Sequence, residues 1–181
     1  NCKGVDEKGA AMPSAKNFLG LLEKLQSADI TVHQNRCAVV RNRNATCMKC
    51  AEVCTSGCIS YNDNELIVSP EKCIGCGTCA TVCPTCALEA HRPNDAELLH
   101  RCIQAMRAAD GEVVIACEQI VNAAEGLLDL EKVVPVTCLG RVEESLLVTL
   151  AVAGAKHVSL VEGKCASCEH ATGFHMAEQV R

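Results

Sequence analysis

Eight cysteines fall into two runs, Cys47-x2-Cys50-x3-Cys54-x3-Cys58 and Cys73-x2-Cys76-x2-Cys79-x3-Cys83, the second closed by Pro84. Three close-set thiolates with a fourth farther on suit a cubane iron–sulfur cluster. The short gaps wrap one tight loop around three irons, and the fourth thiolate must come from elsewhere in the chain. The chemistry of such a site is the movement of single electrons. Zinc is the stronger rival, because paired Cys-x2-Cys units also build tetrahedral thiolate sites. Disulfides are the weaker one, since they dominate small secreted chains, whereas a cysteine-dense intracellular protein more often binds metal.

The two runs form an internal repeat over residues 45–91. Cys47 aligns with Cys73 and Cys50 with Cys76, and the later pairs shift by one because x3 stands where the second run has x2. Between them, Ile59-Ser-Tyr61 and Leu66-Ile-Val68 flank Asn62-Asp63-Asn64, a turn-forming cluster that predicts a β-hairpin. Ala87 to Ala90 supply a matching strand for the other half. This stretch resembles the bacterial two-cluster ferredoxin. It departs from that pattern in the x3 gap before Cys54, in Ile59 after Cys58, and in Cys86, which reads as a small packing residue near a cluster or else as a competing ligand. In two-cluster ferredoxins the fourth cysteine of each run ligates the other cluster. The resemblance therefore implies one [4Fe–4S] cluster on Cys47, Cys50, Cys54 and Cys83, and a second on Cys73, Cys76, Cys79 and Cys58.

Four further cysteines follow predicted strands. Val113–Ala116 runs into Cys117 and Val133–Thr137 into Cys138, while Val158–Val161 leads through Gly163 to Cys165 and Cys168. Loops after the carboxyl ends of parallel strands share one edge of the sheet, where open α/β folds build their sites. The expectation is that these four thiols converge on a third centre. The alternatives are zinc, a redox-active or substrate-binding thiol site, and reduced thiols with no ligand. His170 and His175 are candidates to replace one sulfur, since imidazole also binds iron and zinc. Arg141 serves either as a donor to a cluster sulfur or as a structural cap of its loop.

The segments Cys138-Leu-Gly-Arg141-Val-Glu-Glu-Ser-Leu146-Leu, Ala151 through Gly154-Ala-Lys-His-Val158, and Gly163 to His170 resemble the delta subunit of methyl-viologen-reducing hydrogenase. Related domains occur in heterodisulfide-reductase complexes. That likeness covers about 113–175 and implies an additional iron–sulfur centre on the loop cysteines. Cys117 stands alone where that family often has a pair, and its last two cysteines are usually separated by more than x2.

These sites need elements to hold them. Ser14 caps a predicted helix whose Phe18, Leu21, Leu22 and Leu25 share one face. Ile30 to Asn44 reads as extended, with the basic stretch Arg41-Asn-Arg43 near its end. Pro93-Asn94-Asp95 marks a break, after which Asp95 caps a helix that turns Leu98, Leu99, Cys102 and Met106 inward and ends at Gly111. Cys102 reads as core. Helices are expected near Val121–Leu128, from Val142 to Ala153, and after Cys168. The βαβαβ alternation predicts a small parallel sheet covered by helices. The fold class expected is an α+β ferredoxin-like dicluster module plus a small α/β module with a three-stranded parallel sheet. The division is 1–44 as lead-in, 45–92 as the two-cluster unit and 93–181 as the α/β unit.

Composition narrows the function. Aromatic residues make up 2% of the 181, with no Trp, so the core rests on Leu, Val, Ile and Ala. Metal cross-links compensate for such a weak core. The formal charge of −5 disfavours nucleic acid and permits docking on a basic patch of a redox partner. No G-x-G-x-x-G follows a strand, and no Ser-His-Asp set or paired carboxylates stand out, so neither flavin nor nicotinamide is expected on this chain. The absence of an apolar leader or membrane-spanning run sets the expectation of a cytoplasmic protein. The expected function is an electron-transfer protein or subunit serving hydrogenase-, reductase- or dehydrogenase-type partners. The alternatives are a redox- or oxygen-sensing or assembly protein, and a thiol–disulfide reductase that uses the C-terminal cysteines.

Overall fold

The computed structural model describes residues 29–124 and 126–168. The helix expected after Ser14, the helix expected after Cys168, and His170 and His175 lie outside these residues.

The chain opens with strand β1 (Ile30–Val32), then short helices α1 (Ala38–Arg41) and α2 (Lys49–Glu52). Strands β2 (Ile59–Asn62) and β3 (Glu65–Val68) form an antiparallel hairpin in the register Ile59↔Val68 and Asn62↔Glu65. Asp63 and Asn64 both take positive φ in its two-residue turn, a conformation these residues tolerate better than most. Helix α3 (Thr78–Thr81) and strand β4 (Leu88–Ala90) follow. β4 pairs antiparallel with β1, Ile30 opposite Ala90. The matching strand thus comes from the lead-in. The extended reading of Ile30 to Asn44 holds only for β1: after it the chain turns at Gln34–Arg36 and coils into α1. Arg41 N and Asn42 N close that single turn on Cys37 and Ala38 carbonyls.

Helix α4 (Asp95–Ala108) is capped by Asn94 rather than Asp95, as the Asn94 side chain accepts from the Glu97 amide at 2.9 Å. Asp95 is then the first helical residue, where its charge suits the helix dipole. Strand β5 (Glu112–Cys117) leads to helix α5 (Glu118–Ala123), earlier and shorter than the apolar pattern suggested. Strand β6 (Val133–Val136), helix α6 (Glu144–Val152) and strand β7 (His157–Val161) complete a parallel sheet of order β6-β5-β7. The predicted three-stranded parallel sheet is present.

Two apolar cores result. One gathers Leu98, Cys102, Ala105, Val113, Ile115, Val134, Val136, Val142 and Leu150 between the parallel sheet and its helices. Cys102 is 0% exposed there, and burial pushes its thiol up to about 11. It is a small apolar packing residue, inert at neutral pH. The other core gathers Ile30, Val39, Ile59, Leu66, Val68, Leu88 and Ala90 with Cys37, Cys50, Cys58 and Cys79. The cysteine runs are therefore an integral part of that core.

Candidate metal centres

The two runs are laid down around one shared core. Cys47, Cys54, Cys73 and Cys83 pack against the buried cluster that contains Cys50, Cys58 and Cys79. No disulfide joins any two of the described cysteines. A single cavity is lined by Cys54 and Cys58 of the first run and Cys73, Cys76 and Cys79 of the second, with Ile30, Gly75 and Gly77 beside them. Two thiols of the first run thus meet three of the second. Burial pushes the Cys58 thiol up to about 12, and repulsion from Cys54 and Cys73 adds to it. Cys79, deeper still, is pushed up by burial and then by Cys76 and Cys73. On the other side, burial raises Cys50 to about 11, with Cys83 of the second run adding repulsion. Cys83 of the second run is thus near Cys50 of the first, and Cys54 and Cys58 of the first are near thiols of the second.

Sulfurs also accept hydrogen bonds. The Ala87 amide donates to Cys83 Sγ at 3.2 Å, and Cys54 Sγ lies 3.3 Å from Cys58 Sγ and 3.5 Å from Ser56 Oγ. Burial raises Cys83, yet amides of Ala87 and Thr85 bring its thiol below the ordinary range, because they stabilise a thiolate. An amide donor such as that on Cys83 is the kind of contact a liganding sulfur keeps when it binds iron, whereas Cys54 and Cys58 would have to separate to serve different clusters.

The loop Cys73 to Cys79 depends on two glycines. Gly75 and Gly77 take φ of +68° and +76°, open to glycine at no cost in strain. A Cβ on Gly77 would stand 2.5 Å from Arg141 Cδ, and one on Gly75 would stand 3.4 Å from the Asp29 carboxylate. Arg141 is 3% exposed. It reaches this loop from the turn Leu139–Arg141 after β6 and pairs with Asp95.

Near the carboxyl edge of the parallel sheet, Cys138 and Cys165 each lie within electrostatic reach of others of the remaining four thiols. Cys117 is the last residue of β5 rather than a loop residue, and Cys138 follows β6 by two positions. Burial pushes Cys138 up to about 11, with repulsion from Cys76, Cys168 and Cys165. Cys165 is raised by burial, then by Glu162, Cys117 and Cys168. Gly163 makes the approach possible, since a Cβ there would meet Cys117 Sγ at 3.4 Å. Gln119 donates to Cys168 Sγ at 3.2 Å, and the Gly140 amide to Cys138 Sγ at 3.4 Å. Neither Cys138 nor Cys165 has the lowered pKa of a nucleophilic thiol.

Among the described residues, no three His, Cys, Asp or Glu groups stand tightly enough to grip one metal ion. A tetrahedral zinc–thiolate site needs sulfurs about 3.8 Å apart, given bonds of about 2.3 Å. A cubane asks for wider spacing, because each thiolate binds a different iron. All-thiol donor sets, amides aimed at sulfur and glycines at the closest approach fit such a group at the ferredoxin-like loops.

Comparison with known proteins agrees. Residues 66–89 match the family model described as "4Fe-4S binding domain". The chain carries an iron–sulfur ferredoxin domain. Ferredoxin-1 of Caulobacter vibrioides is 36% identical over 50 residues, 28% of this chain and 44% of that protein. Ferredoxin 7Fe of Hydrogenibacillus schlegelii is 41% identical over 39 residues, 22% of this chain and 50% of its own. Electron transport protein HydN of Escherichia coli K12 is 48% identical over 40 residues, 22% of this chain and 23% of its own. The chain thus spans half or less of the length of these relatives. No solved structure matches it at significance. No helix among the described residues is long and apolar enough to cross a membrane.

Sequence reasoning missed several neighbours of these sites. Cys37 is buried near Cys50, Asp29 and Arg92 cover Gly75, and Cys76 lies within electrostatic reach of Cys138. The Cys138-Leu-Gly-Arg141 turn was the one signal present, and it gave no hint of where the guanidinium goes.

Proposed function

We propose that this chain is an iron–sulfur electron-transfer protein or subunit that holds two [4Fe–4S] clusters and a third centre. Cys47, Cys50, Cys54 and Cys83 hold one cluster, and Cys73, Cys76, Cys79 and Cys58 the other. Cys117, Cys138, Cys165 and Cys168 hold the third centre, an iron–sulfur cluster in preference to zinc. The observation that carries this is the meeting of first-run Cys58, with Cys54 beside it, and second-run Cys73, Cys76 and Cys79 around one cavity. Bound there, the clusters supply reversible one-electron storage.

The protein's own groups do the rest. Buried apolar side chains such as Ile30, Ile59 and Leu66 keep water from the sulfurs. Backbone amides hold the thiolates against their mutual repulsion. Cys138 lies within electrostatic reach of Cys76, which supports a route between the second cysteine run and the C-terminal thiols, with the α/β unit (93–181) as the docking end. The two-cluster unit (45–92) takes β1 of the lead-in (1–44) as a strand. The likeness of 113–175 to the hydrogenase delta subunit points to hydrogenase-, reductase- or dehydrogenase-type partners, and the name of HydN, an electron transport protein, agrees.

Anaerobic stopped-flow spectroscopy tests this function. The chemically reduced protein should return to its oxidised spectrum on mixing with one-electron acceptors, keep all its iron, and repeat the cycle. Loss of cluster in each cycle with altered partner binding would point to a sensor instead, and steady turnover of a disulfide substrate to a thiol reductase.

A further inference from the structure

Two buried donors around the Cys73–Cys79 loop have no hydrogen-bond partner: the Thr78 hydroxyl and Arg141 Nε. Thr78 is 1% exposed and Arg141 3%. A buried donor left unpaired forfeits its hydrogen bond to water, so two in one loop need a reason. Both lie where the loop is most tightly built. Thr78 opens α3 between Cys76 and Cys79, and Arg141 Nε would stand 3.4 Å from a Cβ on Gly77. The rest of Arg141 is well anchored. Its terminal nitrogen pairs with Asp95, its amide donates to the Cys138 carbonyl at 3.0 Å, and its carbonyl accepts from Thr81 Oγ1 at 3.5 Å. A cation held this firmly against a thiol loop has one neighbour type left to serve, a sulfur carrying negative charge.

We propose that Arg141 Nε and the Thr78 hydroxyl donate hydrogen bonds to the cluster held by Cys58, Cys73, Cys76 and Cys79, making it the higher-potential cluster of the pair. This rests on the assignment of a [4Fe–4S] cluster to those cysteines. Reduction adds one electron and one unit of negative charge to the cluster, with no bond formed or broken. The two donors, one of them on a buried guanidinium whose charge the exposed Asp95 partly offsets, stabilise that added charge, so they raise the potential. On the opposite side of the same loop the Asp29 carboxylate faces Gly75, but Arg92 Nε offsets it at 2.6 Å. The Cys47–Cys54 run has no buried arginine, since Thr78 and Arg141 are the buried polar or charged residues among those described. An electron shared by the two clusters then rests on the one beside Cys138, the side from which the C-terminal thiols receive it.

Redox titration of the whole protein, followed by electron paramagnetic resonance, tests this with Arg141→Gln, Arg141→Lys and Thr78→Val. A Cys76→Ser variant marks which resonance belongs to this loop. Arg141→Gln should lower that cluster's reduction equilibrium about tenfold, which is about 59 mV for one electron. Thr78→Val should lower it by a smaller factor, and Arg141→Lys should recover part of the loss. The other cluster's potential should not move. Unchanged potentials with iron content intact, or equal shifts in both clusters, would overturn the proposal. Where Arg141→Gln fails to load, Thr78→Val decides the same way. A parent protein with too little iron and sulfide for two clusters would instead refute the cluster assignment itself.

Discussion

Replacing Cys83 by Ala should remove the cluster held by Cys47, Cys50 and Cys54, although Cys83 belongs to the other run. Cys83 adds repulsion to the buried Cys50 thiol, and its sulfur is already oriented by the Ala87 amide. Alanine would leave one iron of that cluster without a protein thiolate. Iron from the two-cluster unit should fall from roughly eight to roughly four per chain, the loss of one cubane. Stability should fall with it, because metal binding is coupled to folding in so small a core. Iron analysis with electron paramagnetic resonance reads both arms. Loss of the resonance marked by Cys76→Ser, with the other intact, would show that each run serves its own cluster.

The second large effect belongs to Cys138→Ser. Cys138 lies beneath the turn that carries Arg141 and within electrostatic reach of Cys76, Cys165 and Cys168. A serine hydroxyl keeps the size and the Gly140 amide contact but is a poor ligand for a soft metal. One centre should disappear while both cubanes remain reducible, and the iron or zinc lost should match that centre alone. Metal and sulfide content equal to the parent, with no signal lost, would mean that the four converging thiols bind nothing.

Much of this was legible in the sequence because it is local. The gaps within Cys47–Cys58 and Cys73–Cys83 determine how tightly each loop wraps, and the Asn62-Asp63-Asn64 turn determines the hairpin. The strand-to-cysteine junctions at Cys117, Cys138 and Cys165 followed from topology, since parallel strands must end on one edge. What could not be read was long-range. No local pattern tells that Arg141 rests on Gly77, that Cys76 comes within electrostatic reach of Cys138, or that Ile30–Val32 pairs with Leu88–Ala90. The cap at Asn94 was misplaced because Asn94 and Asp95 are both good capping residues, and only the Glu97 amide chooses between them. The extended reading of Ile30 to Asn44 failed because Cys37-Ala-Val-Val is equally apolar as a strand or as one helical turn.

Anaerobic determination of iron, acid-labile sulfide and zinc in the whole protein, with spin quantitation of its reduced form, tests the central claim most directly. Two cubanes predict at least roughly eight irons and eight sulfides per chain, two interacting reducible centres, and further iron if the third site holds a cluster. Zinc at the ferredoxin-like cysteines, or four irons or fewer in protein purified and reconstituted without oxygen, would contradict it.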